Sequence, residues 1–449
     1  MCYICFISIE QTVITDMKYA PVGMFRNYTR EMSVFIWASM INSTGAALMW
    51  PLTTIFVHQV LNRSLAEAGF VIMMQMLGNV LGQFAGGSLY YKFGVRKLLI
   101  GALAVTAVFQ ASLVVTAYSS WWGYIVTMFV IGFTGNLSQP AIQSFIGFRW
   151  ADRRDELFNV VYVANNIGVA LGTALSGILA DISFNLTFIL NASTSAAFAV
   201  FFYYFLQHIK EETAPAKPNA TPSVKGARRA QLDDMPDKGA IPHLTIVDQL
   251  RNVRLYLFLS VGSMMIWMAN SLWGSGVAPH ITDQGMEMKM YSWLWTLNGI
   301  LIFVGQPITS WMKRTIAQPV TSQLTWSAVF YSLAYVVILL FPSYSGFIVA
   351  MMIATLGEML VSPAVPAFLA ARAGRNAPFY MGLAGGISSI GRMIGPVALG
   401  VAYDSGGLQA VMRVSVVIAI VATVSFMLHA YLQKSKLRAE KNQYYDNYS

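Results

Sequence analysis

The sequence predicts an all-α membrane protein: twelve transmembrane helices in two pseudo-symmetric six-helix bundles. Three observations carry this. Of 449 residues, 56% are hydrophobic and only 11% charged, where soluble proteins carry about 25% charged residues. The apolar residues gather in runs long enough to cross a bilayer, which takes about 20 residues of helix. The second half of the chain also repeats features of the first. With a mean hydropathy of +0.55, this composition excludes a soluble enzyme, a nucleic-acid binder and a disordered scaffold.

Residues 1–31 form an N-terminal segment with no basic start and no cleavage motif, so they do not read as a signal peptide. Met17 and Met24 are alternative starts. Six spans follow at 32–57, 65–90, 98–118, 122–148, 157–180 and 184–206. The runs are too long, and lack the alternation, for membrane strands. Residues 208–254 differ, with five prolines and the basic patch Lys225-Gly-Ala-Arg228-Arg229. This is expected to be a linker, whose amphipathic part at 243–254 lies on the membrane surface. Six more spans follow at 255–281, 291–311, 320–341, 347–370, 379–403 and 408–432, then a tail at 433–449. The bundles are therefore expected at 32–207 and 255–432.

Charge orients this arrangement. Of 29 Lys and Arg residues, 25 fall in the termini, the linker and the loops on one side. The other side has only Arg63, Lys289 and Arg413, and Arg392 lies within a span. Basic loops stay cytoplasmic, so both termini and the linker are expected there, with the chain in the cell membrane. The net charge of +9 is then an orientation signal with some attraction to anionic lipid, and no nucleic-acid partner is expected. Cys2 and Cys5 are the only cysteines, too few for a disulfide framework or a cysteine zinc site. The His residues are dispersed and no Gly-Lys-Ser/Thr phosphate loop occurs. Neither metal, cofactor nor ATP is expected.

A shift of 223 residues places Asn165-Asn-Ile-Gly-Val-Ala-Leu-Gly172 on Ser388-Ser-Ile-Gly-Arg-Met-Ile-Gly395. It also matches Pro140 with Pro363, Arg149 with Arg372 and Asp181 with Asp404. A shift of 228 aligns Met40-Ile-Asn42-Ser43 with Met268-Ala-Asn270-Ser271. Shared Pro, Asn, Arg and Asp point to duplication rather than to common apolar composition. Two similar halves enclosing a midplane site is a transporter architecture.

The stretch Gly87-Ser-Leu-Tyr-Tyr91-Lys92-Phe-Gly94-Val-Arg96-Lys97 resembles the signature loop of the major facilitator superfamily. That loop reads Gly, three residues, Asp, a basic residue, any residue, Gly, any residue and two basic residues. Tyr91 stands where the family usually has Asp, whose role there is to latch the halves on the cytoplasmic side. Gly94 permits a tight turn, and Lys92, Arg96 and Lys97 can meet helix C-termini and lipid phosphates. Span five, with Gly168, Gly172 and Gly177, is similar to the glycine-rich helix of the drug/proton antiporter branch, with Thr173 in place of its Pro. The Gly-Pro step stands instead in span eleven at Gly395-Pro396, after Gly391. Such small residues serve helix packing or gating. Thr355-Leu-Gly357-Glu358-Met-Leu-Val-Ser-Pro363 resembles the tenth helix of lactococcal-type multidrug exporters, which carry an embedded Glu before a Pro. That branch's basic residue in span four falls here on Met128, and span seven has no acid.

Of twenty acids, only Glu358 falls at the centre of a span. Ionisable groups there are functional candidates by default. Arg392 lies at a similar depth, so two readings stand: a structural ion pair with Glu358, or a proton-coupling site. The expected cavity is lined by Asn42, Gln75, Asn136, Gln139, Asn166, Trp267, Asn270 and Asn298. The polar residues among them serve equally as helix-to-helix hydrogen bonds. Trp50, Trp267 and Trp273 can offer aromatic faces to a cation, or sit at the membrane interface.

The resemblance implies a monomeric secondary transporter that couples protons to the export of amphipathic or cationic compounds by alternating access. The alternatives are proton-coupled transport of a specific small solute (a sugar, amino acid or peptide) and a transporter-like receptor. No convergent catalytic set supports an enzyme. The expected partners are a small-molecule substrate, protons and membrane lipid.

Overall fold

The computed structural model describes residues 28–49, 52–212 and 253–446. Among these residues every regular element is helical. Helix α1 (Arg30–Ala47) is capped by the Thr29 hydroxyl, which accepts from the Met32 N–H at 3.3 Å. Helix α2 (Leu65–Ser119) opens with a capping box between Ser64 and Glu67, which satisfies the first exposed amides. It is two limbs, broken at Gly94 where φ is +69°, a backbone geometry that glycine adopts freely. Helices α3 (Trp121–Leu137) and α4 (Gln139–Arg149) divide the expected fourth span at Ser138, just before Pro140. Helices α5 (Arg154–Ile182) and α6 (Phe184–Glu212) complete the first half. The bulk of the expected linker, its amphipathic end up to residue 252, the segment 1–27 and Trp50 lie outside the described residues.

The second half begins with α7 (Val253–Asn270) and continues through the short α8 (Ala278–Asp283) to α9 (Met288–Val304). Helix α10 (Gln306–Thr315) follows directly after Gly305 with Pro307 in its first turn, so the expected eighth span is also two pieces. Helix α11 (Val320–Leu340), α12 (Tyr344–Arg372) and α13 (Ala377–Asp446) finish the chain. α13 breaks at Gly406 and Gly407. Eight described helices are long and apolar enough to cross a membrane, and α2 and α13 each join two limbs across their glycine breaks. The expected first and eighth spans correspond to shorter helices, α1 of 18 residues and α9 of 17.

Packing explains the glycine spacing. A Cβ at Gly168 would run into the Met40 carbonyl, and one at Gly172 into that of Thr44. In the second half, Gly391 and Gly395 abut the carbonyls of Met264 and Met268. Thus α5 lies on α1 as α13 lies on α7, backbone against backbone. These contacts match Met40 with Met264 and Thr44 with Met268, one helical turn away from the register read through Asn42 and Asn270. Gly177 lies in α5, but its surroundings are outside the described residues. Phe35, Phe145, Trp150 and Phe202 form one buried aromatic knot of the first half. Val108, Val115, Val397 and Val401 point outward and are exposed, as expected of a lipid-facing surface.

The named contacts between the halves run from the basic loops to about the midplane. Gly87 meets Pro378 and Gly382, Gly147 meets Ala370, and the Ser144 hydroxyl lies 3.3 Å from the Met381 sulfur. Farther from those loops, α1 packs on α5 and α6, and α7 on α13, each within its own half. The seam is therefore closed at the basic face.

Candidate functional site

Glu358 sits on α12, whose first turn is capped by Ser343. One carboxylate oxygen accepts from the Tyr162 hydroxyl of α5 at 3.0 Å, and the other from the Asn298 amide of α9 at 3.2 Å. Asn298 also donates to the Thr355 hydroxyl at 3.0 Å, one turn before Glu358. The Tyr162 bond joins the first half to the second. Behind this cluster, Tyr331 and Tyr335 of α11 are buried, and their hydroxyls have no hydrogen-bond partner among the described residues.

Arg392 makes no ion pair with Glu358. Its guanidinium lies 3.7 Å from the centre of the Trp267 ring instead, a cation–π arrangement. The two charges still feel one another electrostatically. In this structure each group has its own partner, Tyr162 and Asn298 for Glu358 and the Trp267 ring for Arg392. Pro396 contributes its carbonyl to the Ser275 hydroxyl at 3.3 Å, tying α13 to the π-helical turn that follows α7.

The expected cavity residues divide into two groups. Asn136 accepts from Gln83 at 3.2 Å and donates to Asn79 at 2.8 Å, a helix-to-helix chain. Asn166 donates back to the Tyr162 carbonyl at 2.9 Å. Asn42, Gln75, Gln139 and Asn270 are half-buried, and their side chains make no hydrogen bond among the described residues. Tyr162, Tyr331 and Tyr335 were not expected from sequence. A tyrosine inside an apolar run carries no signal that separates a site from ordinary core.

The signature loop docks on the start of α13. The Tyr91 hydroxyl bonds to the Phe379 backbone, so a neutral phenol occupies the place of the family's usual acid. Lys92 lies over Phe93 and Arg96 over Tyr203, each 5.5 Å from the ring centre. Nearby, Lys313 donates to Asn159 at 3.3 Å, and Asn159 donates to Gln306 at 2.8 Å, again bridging the halves. Burial pushes the Lys313 ammonium down to about 8, against the opposing pull of Asp155.

The sequence profile of the Major Facilitator Superfamily matches residues 35–322 and 259–444. The chain belongs to the Major Facilitator Superfamily. It is a multi-pass membrane transporter and not an enzyme. It is 31% identical over 415 residues to the uncharacterized MFS-type transporter YttB of Bacillus subtilis, covering 92% of this chain and 98% of that one. Among solved structures, it is similar to the human organic anion transporter MFSD10, with TM-score 0.63 and 12% identity, over 89% of this chain and 100% of that one. It is also similar to FucP of E. coli in the outward conformation, with TM-score 0.62 and 14% identity, over 89% of this chain and 99% of that one. At these identities the two structures speak for the fold alone. Members of this superfamily move small molecules, and secondary transport is the activity that follows.

Proposed function

We propose that this chain is a proton-coupled transporter of amphipathic organic compounds, with Glu358 as the proton carrier. The observation that supports this is the Glu358 carboxylate itself, held by Tyr162 of one half and Asn298 of the other. A group bonded across the seam changes its surroundings whenever the halves rock. Loading and releasing a proton there ties the gradient to the motion. Export is the direction implied by the likeness of spans five and ten to drug exporters. Of the amphipathic and cationic classes expected from sequence, the exposed charge of Arg392 favours the former, since a cation would be repelled.

We further propose twelve crossings in bundles at 32–207 and 255–432, a monomer, and a plasma-membrane location with both termini and the basic face cytoplasmic. The closed basic face then makes this the outward-facing state of an alternating-access cycle. Arg392 supports a second reading, transport of a specific small solute, because a guanidinium with no hydrogen bond among the described residues suits a defined ligand group. Proteoliposomes test the leading reading. With an imposed proton gradient, wild-type protein drives substrate movement, and Glu358→Gln is expected to abolish it while facilitated exchange persists. Normal gradient-driven transport by Glu358→Gln sinks the assignment.

A further inference from the structure

Arg392 lies about 22 Å along α13 from Ala377, at about 1.5 Å per residue. Two turns before it on the same face, Gly385 abuts the Gln83 side chain of α2. That face therefore looks into the seam between the halves. Arg392 is nonetheless exposed, on the side of α13 that faces the other half. Its guanidinium makes no hydrogen bond among the described residues. Trp267 covers one planar face, which leaves the edge, where all the N–H donors point, free.

A guanidinium at this depth with neither an ion pair nor a hydrogen bond among the described residues is costly. Glu358, its neighbour in charge, has each carboxylate oxygen taken by another donor. A planar anion matches the free edge best, because two parallel N–H donors meet two oxygens. The Trp267 ring and the surrounding apolar helices suit an aromatic or aliphatic body attached to that anion.

We propose that Arg392 and Trp267 form a subsite for the carboxylate of an amphipathic organic anion carried through the central cavity. This rests on the transport reading above, and it names the substrate class.

The full chain in nanodiscs of phosphatidylcholine alone, which offers no anionic headgroup, provides the test. Three probes of one shape are titrated at fixed pH and salt: 2-naphthoate, 2-naphthalenemethanol and 2-naphthylmethylammonium. Wild type is expected to bind naphthoate at least about tenfold more tightly than the alcohol, the scale of hydrogen bonds to a charged group, and the ammonium most weakly. Arg392→Gln should bind naphthoate and the alcohol alike. Arg392→Lys, which keeps the charge but loses the fork, should retain part of the preference. Equal affinity for all three probes in wild type, absence of binding included, overturns the proposal. So does an undiminished carboxylate preference in Arg392→Gln. Glu358→Gln separates the two readings. It is expected to lose gradient-driven transport yet to keep the carboxylate preference, with tighter naphthoate binding because a neighbouring negative charge is gone. Proton-driven transport without carboxylate preference breaks the subsite alone, and carboxylate preference without proton-driven transport breaks the coupling reading alone.

Discussion

At the residue scale, the site turns on which group partners which. Sequence position marked Glu358 and Arg392 because charge is so rare in the spans, but depth along two helices does not fix rotation about them. Rotation is what gives Glu358 to Tyr162 and Asn298, and Arg392 to Trp267. The hydrogen bond from Tyr162 fastens the halves in the state observed. Such a bond contributes about 1 kcal/mol net, which is roughly a fivefold population ratio. Tyr162→Phe should therefore shift the ensemble about fivefold toward opening at the basic face. Spin labels on the basic ends of α5 and α10 would report this as a larger long-distance population. An unchanged distance distribution would show that the bond does not hold the seam. The tyrosines illustrate why half of the site was invisible in sequence: Tyr162 enters through its place on α5, and nothing in its neighbours announces it.

At the element scale, the apolar runs located the helices well, and the misses have physical causes. Ser138 with Pro140 and Gly305 with Pro307 split spans that hydropathy reads as continuous, since an apolar window does not register a lost backbone donor. The repeat was legible through shared glycines, but the register of α7 against α1 was set by packing, not by the resemblance of Asn42 to Asn270. Those glycines give a sharp comparison. Gly168 and Gly391 meet backbone carbonyls, whereas Gly101 has open space around its Cβ position. Gly168→Ala and Gly391→Ala should each lower the melting temperature of the purified protein by several degrees, on the scale of about 1–3 kcal/mol for overpacking. Gly101→Ala should be neutral or slightly stabilising, by up to about 1 kcal/mol from helix propensity. Equal melting temperatures for all three variants would remove the close-packed helix pairs from the account of the fold.

At the scale of the whole molecule, the seam at the basic face holds a lysine ammonium that burial pushes down to about 8. Lys313 of α10 is half-buried against α5 when that face is closed. It donates to Asn159 of α5, which itself donates to Gln306, and feels Asp155 of α5. Opening would return it to water and to its ordinary value near 10.4. In the closed state burial holds it at about 8. The open state thus binds more protons between those values, and closure gains stability as pH rises through the window. Below about 8 the penalty for burying the ammonium is present in full. The closed-to-open ratio at the basic face should accordingly rise on the order of tenfold between about pH 7 and 9.5 by proton linkage. The spin-label distances that report on Tyr162→Phe measure this too. Lys313→Gln can keep the hydrogen bond to Asn159 but has nothing to titrate, so its distribution should be flat over the same range. A slope in Lys313→Gln equal to that of wild type would assign the pH response to another group. With both variants in hand, the Tyr162 bond and the Lys313 charge become two separately adjustable weights on one seam, one of them set by pH and the other not.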